Sequence, residues 1–172
     1  MAMQNERTVW LVAAAVIAAA SLAALTFAQA PAGSAIQFPA GYRNWTHVKS
    51  MVIHDQSHPL FNAFGGIHHV YVNERGMQAL NRENPRYPDG SIFVFDLLEA
   101  RLEGGAYVEG NRKVLAVMVK DSRKYAATGG WGFEAFAGGD PTQRVVKDAA
   151  TECFQCHDSQ QASDYVFSKW RP

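Results

Sequence analysis

Tyr87-Pro88-Asp89-Gly90-Ser91-Ile92-Phe93-Val94-Phe95-Asp96-Leu97-Leu98 is the stretch that decides the fold class. Its first four residues form a turn signal with a physical basis, since proline presets φ and glycine accepts a positive φ. The rest is β-branched, aromatic and apolar except at Ser91 and Asp96, and it shows no helical period. Such a run reads as a strand covered on both faces, and therefore central to a sheet. Outward from it, residues 45–53 and 67–72 read as strands on the N-terminal side. Residues 107–109 and 113–119 read as a pair joined by Gly110-Asn111, and 131–136 alternates enough for one more. Asn73 caps a short helix running through Leu80, with Met77 and Leu80 facing inward. Asp121 opens a helical turn, and a longer helix begins near Asp148. The expected fold is mainly β (α+β): an antiparallel sheet with short helices and a C-terminal helix.

That last helix carries Cys153-Phe154-Gln155-Cys156-His157, which holds both cysteines of the chain. C-x-x-C-H is the attachment signature of a c-type haem. Residues i and i+3 share a helix face, so both thiols can add to one porphyrin, and the next residue brings an imidazole to the iron. A thioredoxin-like pair wants a βαβ context near the chain start, and structural zinc wants a second ligand pair that is not there. A disulfide across two residues would be strained. The expectation is one covalent haem c, bound through Cys153 and Cys156, with His157 as axial iron ligand.

The 172 residues are 48% apolar with balanced formal charge, which suits one globular domain with a real core. Zero net charge gives no support to nucleic-acid binding. The domain is expected over 36–172. Residues 1–35 contain Arg7, an alanine-rich apolar run and a small-residue stretch, and they read either as a secretory signal or as an uncleaved membrane anchor. Both export the domain, which agrees with haem attachment outside the bacterial cytoplasm. The expected location is the periplasm.

Helical monohaem carriers place C-x-x-C-H early and a methionine ligand far downstream, whereas 15 residues follow His157 here and none is Met. A C-terminal motif behind a run of strands, with Tyr42-Arg43-x-Trp45, Tyr87-Pro-Asp-Gly90, Val119-Lys120-Asp121-Ser122, Gly130-Trp131-Gly132-Phe133 and Asp164-Tyr165-Val166-Phe167 in that order, resembles the cytochrome P-460 family. That family includes the β-sheet cytochromes c′ (cytochrome c′-beta). The resemblance implies a five-coordinate haem open to small ligands, and pairing of two chains through the sheet. One branch oxidises hydroxylamine and carries a lysine cross-linked to the porphyrin, with a distal carboxylate as proton acceptor. The other lacks the cross-link, lines the distal side with phenylalanines and binds nitric oxide. The segment matched to the cross-linking lysine, 77–86, contains no lysine; Arg75, Arg82 and Arg86 are the cations in and beside it.

The first expectation is therefore a ligand-binding cytochrome for nitric oxide or a similar small molecule, served by an unidentified redox partner. An oxidoreductase acting on hydroxylamine or a related nitrogen compound and a plain electron carrier are the alternatives. Phe61 and Phe64 are candidates for an apolar distal cap, against a reading as core aromatics. Glu109 is the candidate distal carboxylate, against a solvated strand end. Asp96 reads as a hydrogen-bonded structural carboxylate. His47, His54, His58, His68 and His69 are alternative sixth ligands, and His68 and His69 point to opposite faces of their strand. Lys49, expected on the side of Trp45 and Met51, is the one lysine placed to reach a pocket despite the gap in 77–86.

Overall fold

The computed structural model describes residues 35–171, so the leader expected over 1–35 lies, but for its last residue, outside the described part. Five strands form one antiparallel sheet in the order β1-β2-β3-β4-β5: Thr46–Ile53, Gly66–Val72, Ile92–Glu103, Ala106–Lys120 and Trp131–Ala137. Each strand pairs with its neighbour in sequence, so short loops suffice. The run after Tyr87-Pro88-Asp89-Gly90 is β3, the central strand of the sheet. The turn before it is locked by Asp89, whose carboxylate accepts from the backbone N–H and the hydroxyl of Ser122 at 2.8 and 2.9 Å.

Two strand expectations need correction. Residues 107–109 and 113–119 are one strand, β4, because Gly110 is a place of close approach and not a junction. A Cβ there would come within 2.8 Å of Glu99 on β3. In the same way β3 continues past Leu98 to Glu103, carrying the hairpin beyond the rest of the sheet.

The remaining elements are short. Helix α1 spans Phe61–Phe64 and α2 spans Glu74–Leu80. Asn73 caps α2 as expected: its Oδ1 accepts from Gly76 N–H at 2.9 Å and from Ile92 N–H at 3.0 Å, tying the helix to β3. The C-terminal helix starts later than Asp148 and is less regular. A π-turn over Ala150–Phe154 leads into a single α-turn, α3 (Gln155–His157), and then a 3₁₀ stretch over Asp158–Ser163. Among the described residues no helix is long and apolar enough to cross a membrane.

The two faces of the sheet are covered by different parts of the chain. On one, Val70, Val72, Phe93, Met118, Trp131 and Phe133 meet α2 and the C-terminal segment, including Cys153, Phe154, Tyr165 and Val166. On the other, Val94, Leu115, Val117 and Phe136 meet the N-terminal residues Ile36, Phe38, Tyr42 and Trp45. A β-bulge between His47 and Lys49 shifts the register of β1. Trp45 therefore belongs to the second face, whereas Lys49 and Met51 pair with Val70 and His68 on the first, which corrects the expectation that all three share a side.

Candidate haem site

The face that holds the cysteine motif is incompletely covered. Register aligns Phe95, Ala116 and Ala135 in one row and Leu97, Val114 and Ala137 in the next. Of these six only Leu97 is fully buried, although all are apolar and β3 and β4 are interior strands. Small apolar side chains left half-open in mid-sheet form a shallow apolar floor. Cys153 and Phe154 pack at its margin, against the cluster that includes Phe133. Cys153 is half-buried, Cys156 is exposed, and both are free thiols.

His157 completes this margin. Its ring sits 4.9 Å from Phe133 and 5.0 Å from Phe167, both measured between centroids. Nδ1 lies 2.7 Å from the Tyr165 carbonyl. A carbonyl only accepts, so Nδ1 carries the proton and Nε2 keeps its lone pair. Burial lowers the pKa of the ring, the bond to Tyr165 opposing it, which favours the neutral form. A neutral, oriented imidazole beside an apolar floor has the properties of a metal ligand with its outer hydrogen bond already made.

The thiols point away from the competing readings. Burial, with smaller help from Glu152, pushes Cys153 up to about 11, so at neutral pH it is a thiol and not the thiolate of a redox couple. Among the described residues no three His, Cys, Asp or Glu side chains converge as metal ligands, so a structural zinc site finds no further partners. An apolar floor, two free thiols three residues apart and a histidine with its Nδ1–H already given away are the donor set that a covalently held haem would use.

Residues 39–168 match the family model described as Cytochrome P460. The chain belongs to this family. Membership brings a haem cofactor, and the donor set just described suits one. A search of curated proteins found no relative of significant similarity.

The other sequence candidates divide by face. Phe64, on α1, makes an edge contact with Phe95 at 5.7 Å, so it stands over the floor, while Phe61 packs its ring against Gly65. Glu109 is not brought to His157. Its carboxylate lies 2.6 Å from His69 Nε2, and His69 pairs with Asp96 on the opposite face. Asp96 has the structural role expected of it: fully buried, it accepts from Tyr42, Arg43 and Arg112 at 2.5, 3.1 and 2.6 Å. His47 contacts Tyr71 and His69 on that same side, and His54 and His58 are exposed in the loop after β1. Arg75 donates to the Asp89 carbonyl and Arg86 to those of Pro85 and Ala162, while Arg82 is exposed.

His68 does face the floor, with its ring 4.8 Å from Phe95. Its Nε2–H donates to the Phe64 carbonyl, while its buried Nδ1 has no hydrogen-bond partner among the described residues. Lys49 is half-buried on the same side, opposite Val70. Sequence reading gave no role to Phe133 or to the Tyr165 carbonyl. Phe133 was legible in principle, because alternation places it with Trp131 and Ala135 on one face. The carbonyl was not, because it depends on a backbone conformation that non-glycine residues rarely adopt.

Proposed function

We propose that the chain is an exported monohaem c-type cytochrome that binds nitric oxide or a similar small neutral ligand. In this reading Cys153 and Cys156 hold the haem through thioether bonds, and His157 is its only protein ligand. The observation that carries the reading is the His157 ring, packed against Phe133 with Nδ1 committed to the Tyr165 carbonyl, which leaves Nε2 as its lone-pair nitrogen. The haem iron supplies the ligand-binding position. Phe64, seated over Phe95, would add an apolar wall to a bound haem, and such a wall would favour an uncharged diatomic over water or an anion. Export follows from the leader and from where such haem attachment takes place.

The test is optical and magnetic spectroscopy of the ferrous protein. A five-coordinate, high-spin spectrum that changes on adding nitric oxide is expected. A low-spin spectrum that turns high-spin on replacing His68 transfers the protein to the electron carriers.

One observation favours a second reading, oxidation of hydroxylamine. Lys49 lies on the floor side of the sheet, half-buried, on the strand next to β2. An amine there supplies what the arginines of 77–86 lack, since guanidinium stays protonated. Mass spectrometry of a tryptic digest separates the two. The ligand-binding reading expects a haem peptide from the 153–157 region alone, and a haem peptide that also contains Lys49 favours the oxidoreductase.

A further inference from the structure

Two consecutive non-glycine residues, Asp164 and Tyr165, have left-handed backbone, with φ of 50° and 67°. A Cβ makes this region unfavourable, less so for Asp164 than for Tyr165, and two in a row are uncommon. Yet this turn is what presents the Tyr165 carbonyl to His157.

The turn closes a helix C-terminus, with Asp164 N–H donating to the Gln161 carbonyl at 3.0 Å and Tyr165 N–H to the Gln160 carbonyl at 2.8 Å, and it is held from outside as well. Asp164 is buried, and each of its oxygens is engaged. Oδ1 accepts from Lys120 Nζ at 2.8 Å, Oδ2 from the Tyr87 N–H at 2.8 Å, and the backbone carbonyl from Trp131 Nε1–H at 2.8 Å. Lys120 is itself buried, donates to the Gly129 carbonyl at 3.0 Å and lies 4.9 Å from the centre of the Trp131 ring. The Tyr165 ring then closes over Gly129, where a Cβ would come within 2.2 Å of it.

Resting on the reading of His157 as axial ligand, we propose that Asp164 and Lys120 are positioning residues that set the electron-donating strength of His157 through the Tyr165 carbonyl. A buried ion pair adds little net stability, because desolvation offsets its attraction. What this pair fixes is where one carbonyl stands. A ligand imidazole whose Nδ1–H is given to a well-aligned acceptor is a stronger donor and is locked in rotation. When the ion pair is lost the left-handed turn relaxes and the acceptor withdraws. His157 then becomes a weaker donor, and the reduced haem is favoured.

The experiment measures the iron–histidine stretching band by resonance Raman, and the midpoint potential, on holoprotein variants checked for haem content and far-UV circular dichroism. Asp164→Asn and Lys120→Met are expected to move the band to lower wavenumber and the potential to more positive values. Lys120→Arg, which keeps a cation for Asp164, should stay near the wild type. Gly129→Ala leaves both charges in place but pushes on the Tyr165 ring, and should shift the band in the same direction. It also decides the matter if neither charge variant loads haem. Unmoved band and potential in the variants that assemble overturn the proposal. A wild-type band that is absent, or that survives His157→Ala, instead overturns the assignment of His157.

Discussion

The two faces of the sheet are built from the same strands and finish in opposite states. On the face toward the N-terminal segment, buried Asp96 receives three donors and Val94, Leu115, Val117 and Phe136 are buried at its centre, with Tyr71, Ile92 and Val119 partly covered around them. On the face toward the cysteine motif, Phe95, Ala116 and Ala135 are left half-open and the buried His68 Nδ1 has no hydrogen-bond partner among the described residues. Half-open apolar side chains and an unpaired buried nitrogen both cost free energy, and a flat apolar ligand on that face would recover part of it. The half-open row and Cys153 lie on the same face of the sheet.

The largest effect should come from the attachment points. Cys153→Ala with Cys156→Ala is expected to leave no haem with the polypeptide after acid–acetone extraction; retained haem would show that the open face holds it by other means. On the closed face, Asp96→Ala strands Arg112 and Tyr42 beside a cavity. Breaking a buried charge pair by removing one partner costs about 3–5 kcal/mol. Urea unfolding should show a loss of that order, and a loss under about 1 kcal/mol would mean that the closed face is less dependent on its polar centre than its geometry indicates.

Much of this contrast was legible in the sequence. Asp96 inside an apolar run announced a satisfied carboxylate, and strand periodicity separated His68 from His69. The bulge beside Val48 was not legible, because a one-residue insertion leaves no mark in a short strand and yet changes the side to which Trp45 points. Glu109 looked like a distal carboxylate because glycine follows it. Its pairing with His69 depends on a contact forty residues away that no local pattern encodes. The proposed haem-binding residues were read from spacing, whereas the hydrogen bond orienting His157 arises from the backbone of Asp164 and Tyr165.

Adjacent residues sharpen the comparison further. Ala116 and Val117 are neighbours on β4 but face opposite sides. Val117→Phe overfills the closed face and should cost about 1–3 kcal/mol, read as a lowered unfolding midpoint. Ala116→Phe extends into the half-open floor. It should leave the haem-free protein within about 0.5 kcal/mol of wild type while sharply reducing haem incorporation. Equal destabilisation by both would mean that the floor is already filled.

The smallest effect expected is a pH dependence confined to the open face. His68 is 2% exposed. Its pKa is lowered by burial first, with the bond to the Phe64 carbonyl opposing that and Lys113 and Lys49 adding to it. The folded state therefore holds His68 neutral at pH values where the unfolded chain, near 6.5, has begun to protonate. Below that pH the unfolded state binds more protons, so stability is fully present above about 6.5 and is lost as pH falls toward the folded pKa. One proton limits the slope to about 1.4 kcal/mol per pH unit. His157 is shifted in the same direction, so the haem-free protein should be the more acid-sensitive form, and iron ligation at His157 should remove that share. His68→Gln keeps an N–H for the Phe64 carbonyl and abolishes the titration. In the holoprotein it should flatten the fall in stability between pH 7 and 5 while changing stability at pH 8 little. An unaltered slope in His68→Gln would assign the acid sensitivity to other groups and would remove the unpaired nitrogen from the list of differences between the faces.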